Sequence, residues 1–417
     1  MKIKAKNDIR LYVLVILLGA VTGAILWGFL KAVGICTELL WKTLPNALGV
    51  EFMPVIFCTA GGFAAGLIHR RHGDYPEELP VVLGKIKHDR HYDYRPMPVM
   101  LICAFLPLIL GSSVGPEAGL TGIIAGLCYW VGDNVKYARE HADEYSDIGA
   151  AVTLAGLFHI PLFGIFAVEE SEAGDDVPSA MPKGTKLLLY GLSIAAAFLV
   201  MKGLGSLFGP AGEGFPSFAA ADADGKDLAL MLLYIPIGLV LFIAFSFSEK
   251  VTKAVSDKLP PVVSETICGL VIGLVSLVAP GILFSGEEYM GMLPETFISG
   301  MPYVLIGVCI LKILMTAFCI EFGLKGGHFF PLIYACSCMG FGLALLLFRG
   351  SDPLVMTDHA VFAAAVITAA TLGAQLKKPI TVSMLLMICF PLRMILWIFL
   401  SAALSSKAVV LYDGNKA

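Results

Sequence analysis

Charge is what this sequence has least of. Only 15% of its 417 residues are Asp, Glu, Lys or Arg, against about a quarter in a soluble globular domain. Hydrophobic residues make up 57% and the mean hydropathy is +0.82. So large an apolar surplus cannot be hidden in one soluble core. That excludes an ordinary soluble enzyme or binding module and points to a polytopic helical membrane protein in a lipid bilayer. No long basic patch occurs and the net charge is -4, so no nucleic acid partner is expected. The ten cysteines include no CxxC pair and no extracellular framework. They read as small buried hydrophobes, and Cys336-Ser-Cys338 lacks well-spaced partners for a metal. No cofactor is expected.

What is present is a series of long apolar runs. After the basic start "MKIKAKNDIR", Leu11–Leu30 carries no charge. It is long enough to span a bilayer, too long for a typical signal core and without a clear cleavage site. It reads as a first membrane helix with its basic end in the cytoplasm. Further apolar stretches follow, among them 97–132, 148–168, 228–248, 297–320, 329–348 and 379–406. Many are interrupted by Gly and Pro, and several are too short or too long for one clean span. Broken helices survive in hydrocarbon only when buried in protein or lining a wet cavity. The fold class expected is therefore all-α, a bundle of tilted and half-spanning helices. The polar stretches His69–Arg95 and 137–147 read as solvated faces. The Gly-, Ala- and Asp-rich segment 210–227 reads as a linker between two membrane halves, 1–209 and 228–417. "GPEAGLTGIIAGL" (115–127) and "GGHFFPLIYACSCMG" (326–340) share a glycine start and a small-residue apolar continuation, and "IPLFGIF" (160–166) pairs with "KPITVSM" (378–384). Such halves mark a repeat transporter whose site forms where broken helices meet.

Three stretches carry candidate chemistry. In "GSSVGPEAGL" (111–120), Glu117 is the only charged side chain between Met97 and Gly132. An acid at mid-membrane costs a few kcal/mol at least and signals function by default. Gly115 and Pro116 suggest a helix beginning there. A helix N-terminus is an anion site, and the carboxylate can itself be the anion until another displaces it. In "FHIPLFGIFAVEESEAGDD" (158–176), a Pro-led apolar helix ends in Glu169-Glu170. Adjacent helical residues point about 100° apart, so one can face protein and the other solvent, and crowded carboxylates suit proton transfer near neutral pH. In "GLKGGHFFP" (323–331), two glycines before an apolar run again suggest a broken helix with exposed backbone N–H groups. His328 is titratable but reads first as a packing residue. Glu321 and Lys325 read as lying at the water interface.

A competing motif is present. Gly111-Ser112-Ser113-Val114-Gly115 fits G-x-S-x-G, and His159 could serve Ser113 as base in an intramembrane hydrolase. The nucleophile elbow requires a strand before it, whereas Cys103–Leu110 reads as a membrane segment. No enzyme activity is expected.

Taken in order, the three stretches resemble the CLC chloride channel and transporter family. "GPEAG" (115–119) looks like its gating-glutamate motif G-R-E-G-P, with Pro116 where the Arg usually stands. Gly327-His328-Phe329-Phe330-Pro331 matches its G-x-F-x-P. Phe158, Pro161, Leu162, Gly164, Phe166, Glu169 and Glu170 match the helix of its proton-coupled members. The resemblance implies an inverted-repeat helical fold in the cell inner (plasma) membrane. It also implies a homodimer with one anion pathway per subunit. It makes Glu117 the external gate and proton carrier and Glu170 the internal proton acceptor. Gly115, Gly327, His328, Phe329 and Phe330 fall at the anion site, and Tyr412 at the place of a C-terminal tyrosine that completes it. The counterpart of the family's first motif, Gly73-Asp74-Tyr75-Pro76, lacks the serine that helps hold the anion. The absence of room for cytoplasmic nucleotide-binding domains after the last helix favours a prokaryotic, membrane-only form. The function expected is proton-coupled chloride antiport. The alternatives are a passive anion channel of the same fold, or a transporter for another anion such as fluoride or nitrate.

Overall fold

The computed structural model describes residues 9–73, 75–77, 93–134, 142–172, 183–212, 215–219 and 223–414. Asp74, most of the two polar stretches and parts of the 210–227 linker lie outside the described residues. In chain order the helices are α1 (Ile9–Glu38), α2 (Leu44–Leu48), α3 (Met53–His72), α4 (Met97–Ile109), α5 (Glu117–Asn134), α6 (Ala142–Leu157), α7 (Pro161–Glu172) and α8 (Lys183–Phe208). They continue with α9 (Gly225–Ser256), α10 (Pro261–Ser276), α11 (Glu287–Thr296), α12 (Pro302–Glu321), α13 (Phe329–Leu347), α14 (Pro353–Leu376), α15 (Pro379–Leu386) and α16 (Ile395–Gly414). The long apolar run 379–406 is accordingly split, with a bend between α15 and α16. Among the described residues, seven helical segments are long and apolar enough to cross a membrane, while α4, α5, α6 and α10 offer shorter apolar stretches. Half-length helices of this kind match the expected broken bundle.

The chain forms two compact units. The first comprises Met1–Leu48, Asp74–Ile109 and Pro116–Gly214. Its core joins α1, α5, α6, α7 and α8 through residues such as Val15, Ile124, Ala151, Val168 and Tyr190. Helices α1 and α8 approach closely because glycine faces backbone: a Cβ added at Gly19 would lie 2.1 Å from the Ser193 carbonyl oxygen. The Ser193 hydroxyl donates to the Val15 carbonyl at 3.1 Å. Lipid tails are as apolar as leucine, so helices in a bilayer associate through such small-residue contacts and shared hydrogen bonds.

The second unit comprises Gly49–Gly73, Leu110–Gly115 and Phe215–Ala417. Its centre is α13 and α14, with 83% and 78% of their most apolar windows buried, against 28–39% for the other spanning segments. The outer helices therefore turn most of their apolar surface outward, as Leu232 at 84% exposure illustrates. Helices α3 and α10 cross on two glycine pairs of i, i+4 spacing, Gly62/Gly66 and Gly269/Gly273. A Cβ at Gly269 would lie 2.0 Å from the Cys58 carbonyl oxygen, so only glycine fits this small-xxx-small seam.

Two polar details depart from the expectation of solvated connections. Helix α3 runs on to His72 through a basic last turn, which complements the negative end of its dipole. His69 is buried at 6% exposure instead of standing in a loop. The end of the linker is a helix start: the Asp224 side chain accepts from the backbone N–H groups of Lys226 (2.8 Å) and Asp227 (2.9 Å). Asp227 returns the bond to the Asp224 N–H at 3.1 Å, completing a capping box, and also meets His359 Nδ1 at 2.8 Å. The Asp227 N–H foremost holds the Asp224 carboxyl below its usual range. The contribution of this cap is therefore present above the ordinary aspartate pKa and lost as pH falls through the lowered folded value. Asp224→Ala is expected to lower stability by about 1 kcal/mol. Thermal unfolding in detergent at neutral and acid pH measures it, and the difference should vanish at acid pH.

Candidate functional site

The stretch 111–115 is a buried, tightly turned segment of the second unit, in which the Val114 N–H donates to the Ser112 carbonyl at 2.9 Å. Gly111 opens it with φ +84, and its carbonyl accepts from the Phe284 N–H at 3.4 Å. The Ser113 N–H donates to Cys319 Sγ at 3.3 Å, and its hydroxyl lies 3.1 Å from that of Thr316. Gly115 and Gly327 then exchange two backbone hydrogen bonds, each 2.7 Å, the one bridge of strand type among the described residues. Glycine is required here because the chains nearly touch: a Cβ at Gly326 would lie 2.5 Å from Val114 Cγ2 and 2.8 Å from the Gly115 carbonyl oxygen.

Each side of the bridge continues into a helix. After Gly115 come Pro116 and then Glu117, the first residue of α5, and after Gly327 come His328 and then Phe329, the first residue of α13. His328 is the N-cap of α13 and makes no side-chain cap. The first-turn N–H groups are thus not closed by that side chain, the condition for receiving an anion. Phe329 and Phe330 are buried at 4% and 3% exposure. The His328 ring lies 5.8 Å from that of Phe245 and 4.7 Å from that of Phe329. Its Nε2 is buried with no hydrogen-bond partner among the described residues. The structure therefore brings Gly115, Gly327, His328, Phe329 and Phe330 into one cluster. Tyr412 stands in the last turn of α16 and is 61% exposed.

The acids belong to the first unit. Glu117 is only 2% exposed, so the sequence's lone carboxylate is buried at a helix N-terminus. Helix α7 begins at Pro161 and packs against α6: a Cβ at Gly164 would lie 2.1 Å from the Ala151 carbonyl oxygen, and the Phe158 and Phe163 rings meet edge to face at 4.7 Å. Glu169 and Glu170 are both half-buried, rather than one inward and one outward. Lys186 of α8 explains part of this. Its amine is 3.3 Å from Asp147 Oδ2 and 3.6 Å from Glu169 Oε1, and it lies over the Tyr190 ring at 5.6 Å. Sequence reasoning missed Lys186, although a lysine just inside an apolar run is the signal to search for.

Ser113 does not sit on a nucleophile elbow, since the helix α4 precedes it where that turn needs a strand. Glu321 and Lys325 are half-buried.

Residues 61–410 match the family described as "Voltage gated chloride channel". The chain belongs to this CLC family. It is 24% identical over 410 residues to "Chloride channel protein CLC-e" of Arabidopsis thaliana, covering 89% of this chain and 55% of the plant protein. The chain thus spans about half the length of that relative. Among solved structures it resembles "a slow cyanobacterial Cl-/H+ antiporter", with TM-score 0.75, 19% identity and coverage of 97% of this chain and 95% of the other. It also resembles "a CLC-type fluoride/proton antiporter", with TM-score 0.71, 18% identity and coverage of 95% and 94%. At these identities the likeness establishes the fold. The CLC chain is a multi-pass membrane protein.

Proposed function

We propose that this CLC protein is an antiporter that exchanges a small anion, chloride first, for protons. The observation that carries the reading is Glu117: a carboxylate 2% exposed, at the first position of a helix and two residues beyond the Gly115–Gly327 bridge. Ionised, it is a tethered anion at the anion site. Protonated, it is neutral, gives up that place and exchanges its proton with the outer solution. Glu170, half-buried at the end of α7, receives protons from the cytoplasmic side. The anion is held by the backbone N–H groups of His328, Phe329 and Phe330 together with the Phe329 ring, since the Gly115 and Gly327 N–H groups are taken up by their own bridge. The solved neighbours described as chloride/proton and fluoride/proton antiporters are consistent with this chemistry. Tyr412 is proposed only from its position in the chain, and its exposure lends it no support. We further propose that the halves 1–209 and 228–417 are inverted repeats about the 210–227 linker, that the protein is a homodimer of the inner (plasma) membrane, and that its N-terminus is cytoplasmic.

The missing serine at 73–76 favours a second reading at the level of the anion, fluoride or nitrate in place of chloride. Efflux of chloride, bromide, nitrate and fluoride from liposomes, with pH recorded simultaneously, tests both. Antiport predicts uphill proton movement driven by the preferred anion. A reversal potential that ignores the pH gradient identifies a passive channel and sinks the coupling.

A further inference from the structure

We propose that His69 and Glu265 form a second proton-binding site, packed against the segment that leads to the Gly115–Gly327 bridge, whose charge sets how strongly that segment holds an anion. The inference rests on the anion-pathway reading but not on proton coupling through Glu117.

Both residues belong to the second unit. His69 Nδ1 lies 2.7 Å from Glu265 Oε1, and the two residues are 6% and 2% exposed. They stand 196 residues apart in the chain and meet because the glycine seam brings α3 and α10 together: a Cβ at Gly62 would lie 2.1 Å from the Glu265 carbonyl oxygen. A buried acid and imidazole in contact share protons as a unit rather than singly.

The pair reaches the irregular segment that leads to the bridge. A Cβ at Gly323 would lie 2.7 Å from Glu265 Cγ and 2.8 Å from its Oε1. The preceding residue of α10, Ser264, donates to the Phe322 carbonyl at 3.2 Å. Gly323 is four residues before Gly327, and φ +101 holds it in a conformation that suits only glycine. Among the described residues, Cys268, one turn on in α10, is a titratable neighbour of the carboxylate, and it in turn neighbours Cys58 on α3 and Cys319 at the end of α12. Glu321 and Lys325 flank Gly323 in the chain. The thiols are neutral hydrophobes. The pair is the acid–imidazole contact in this cluster, and imidazole is the side chain whose ordinary range lies near neutral pH. On the other side, His69 opens into the basic last turn Arg70, Arg71 and His72, a short way to water.

The step is one proton taken from water onto the imidazole or the carboxylate, with no other bond changed. It adds one positive charge beside the segment that leads to the bridge. In general, a unit charge about 10 Å from an anion, at an effective dielectric of about 20, alters its affinity on the order of tenfold. Anion occupancy and flux should rise as pH falls.

Anion efflux from liposomes holding the full chain, with the same pH on both sides and chloride as the probe, tests this across pH 5 to 8. The series is wild type, Glu117→Gln, and Glu265→Gln and His69→Gln, each in the Glu117→Gln background. The expected result is that Glu117→Gln keeps a flux that falls about tenfold as pH rises, while either second change flattens the profile. A merely structural clamp between α3 and α10 would change amplitude or yield of folded protein and leave the pH midpoint alone. If both double variants keep the midpoint and slope of Glu117→Gln, the proposal is wrong. Should the double variants not fold, Glu117→Gln itself decides: a flux independent of pH overturns the proposal. Failure of antiport is read separately, from proton movement in wild type.

Discussion

Glu117→Gln is expected to reduce proton movement to the leak of protein-free liposomes while anion movement persists. Glutamine matches the shape of protonated glutamate, so the variant fixes the neutral state. The tethered anion is gone, and so is the group that carries the proton. The fold should not suffer. A buried ionised carboxylate is costly, and its favourable interaction with the helix start is worth only about 0.3–1 kcal/mol. The side chain is 2% exposed, so removing its charge should leave thermal stability unchanged or higher. That combination separates a proton carrier from a structural acid, whose loss would lower stability and flux together. Simultaneous chloride and pH recordings decide the matter: proton coupling that survives in Glu117→Gln excludes this residue as the carrier.

What was legible in the sequence was whatever a local pattern encodes. Pro161 and Pro379 announced helix starts because proline fits a first helical turn, and both open helices in the structure. Glycines before apolar runs marked the breaks at 111–115 and 323–327, and Glu117 stood out because nothing else charged lies near it in the chain. Long-range pairings left no such trace. His69 looked like the first residue of a polar, solvated stretch because its partner Glu265 lies on another helix, and only the glycine seam, itself a three-dimensional fact, brings them together. Glu169 gave no hint of Lys186, which approaches from α8. The exchange between Gly115 and Gly327 pairs backbones, and a backbone pairing between distant segments has no sequence signature beyond the glycines that permit it.

Lys312→Met is expected to be the most destabilising of these substitutions, by several kcal/mol. Lys312 of α12 has no exposed surface. Its amine donates to the Ile282 carbonyl at 2.9 Å, the Leu283 carbonyl at 3.3 Å and the Phe284 carbonyl. An ammonium has three donors, and here three successive carbonyls take them while the Tyr334 ring lies 5.7 Å away. These carbonyls converge because the chain reverses: Phe284 adopts φ +55 and Gly286 φ +89, and a non-glycine residue in that region costs about 1–2 kcal/mol. Methionine nearly conserves length and volume, so the variant removes the donors and their charge without opening a cavity. Each buried carbonyl left without a partner costs about 1–3 kcal/mol, a large share of a total stability of about 5–15 kcal/mol. The damage should reach the site, because the Phe284 N–H donates to the Gly111 carbonyl at the start of the segment that pairs Gly115 with Gly327. Thermal unfolding in detergent, beside the exposed control Lys202→Met, measures the first effect, and liposome anion flux below the unfolding temperature measures the second. A Lys312→Met protein as stable as Lys202→Met would show that the carbonyls find other partners and that this lysine does not hold the segment in place.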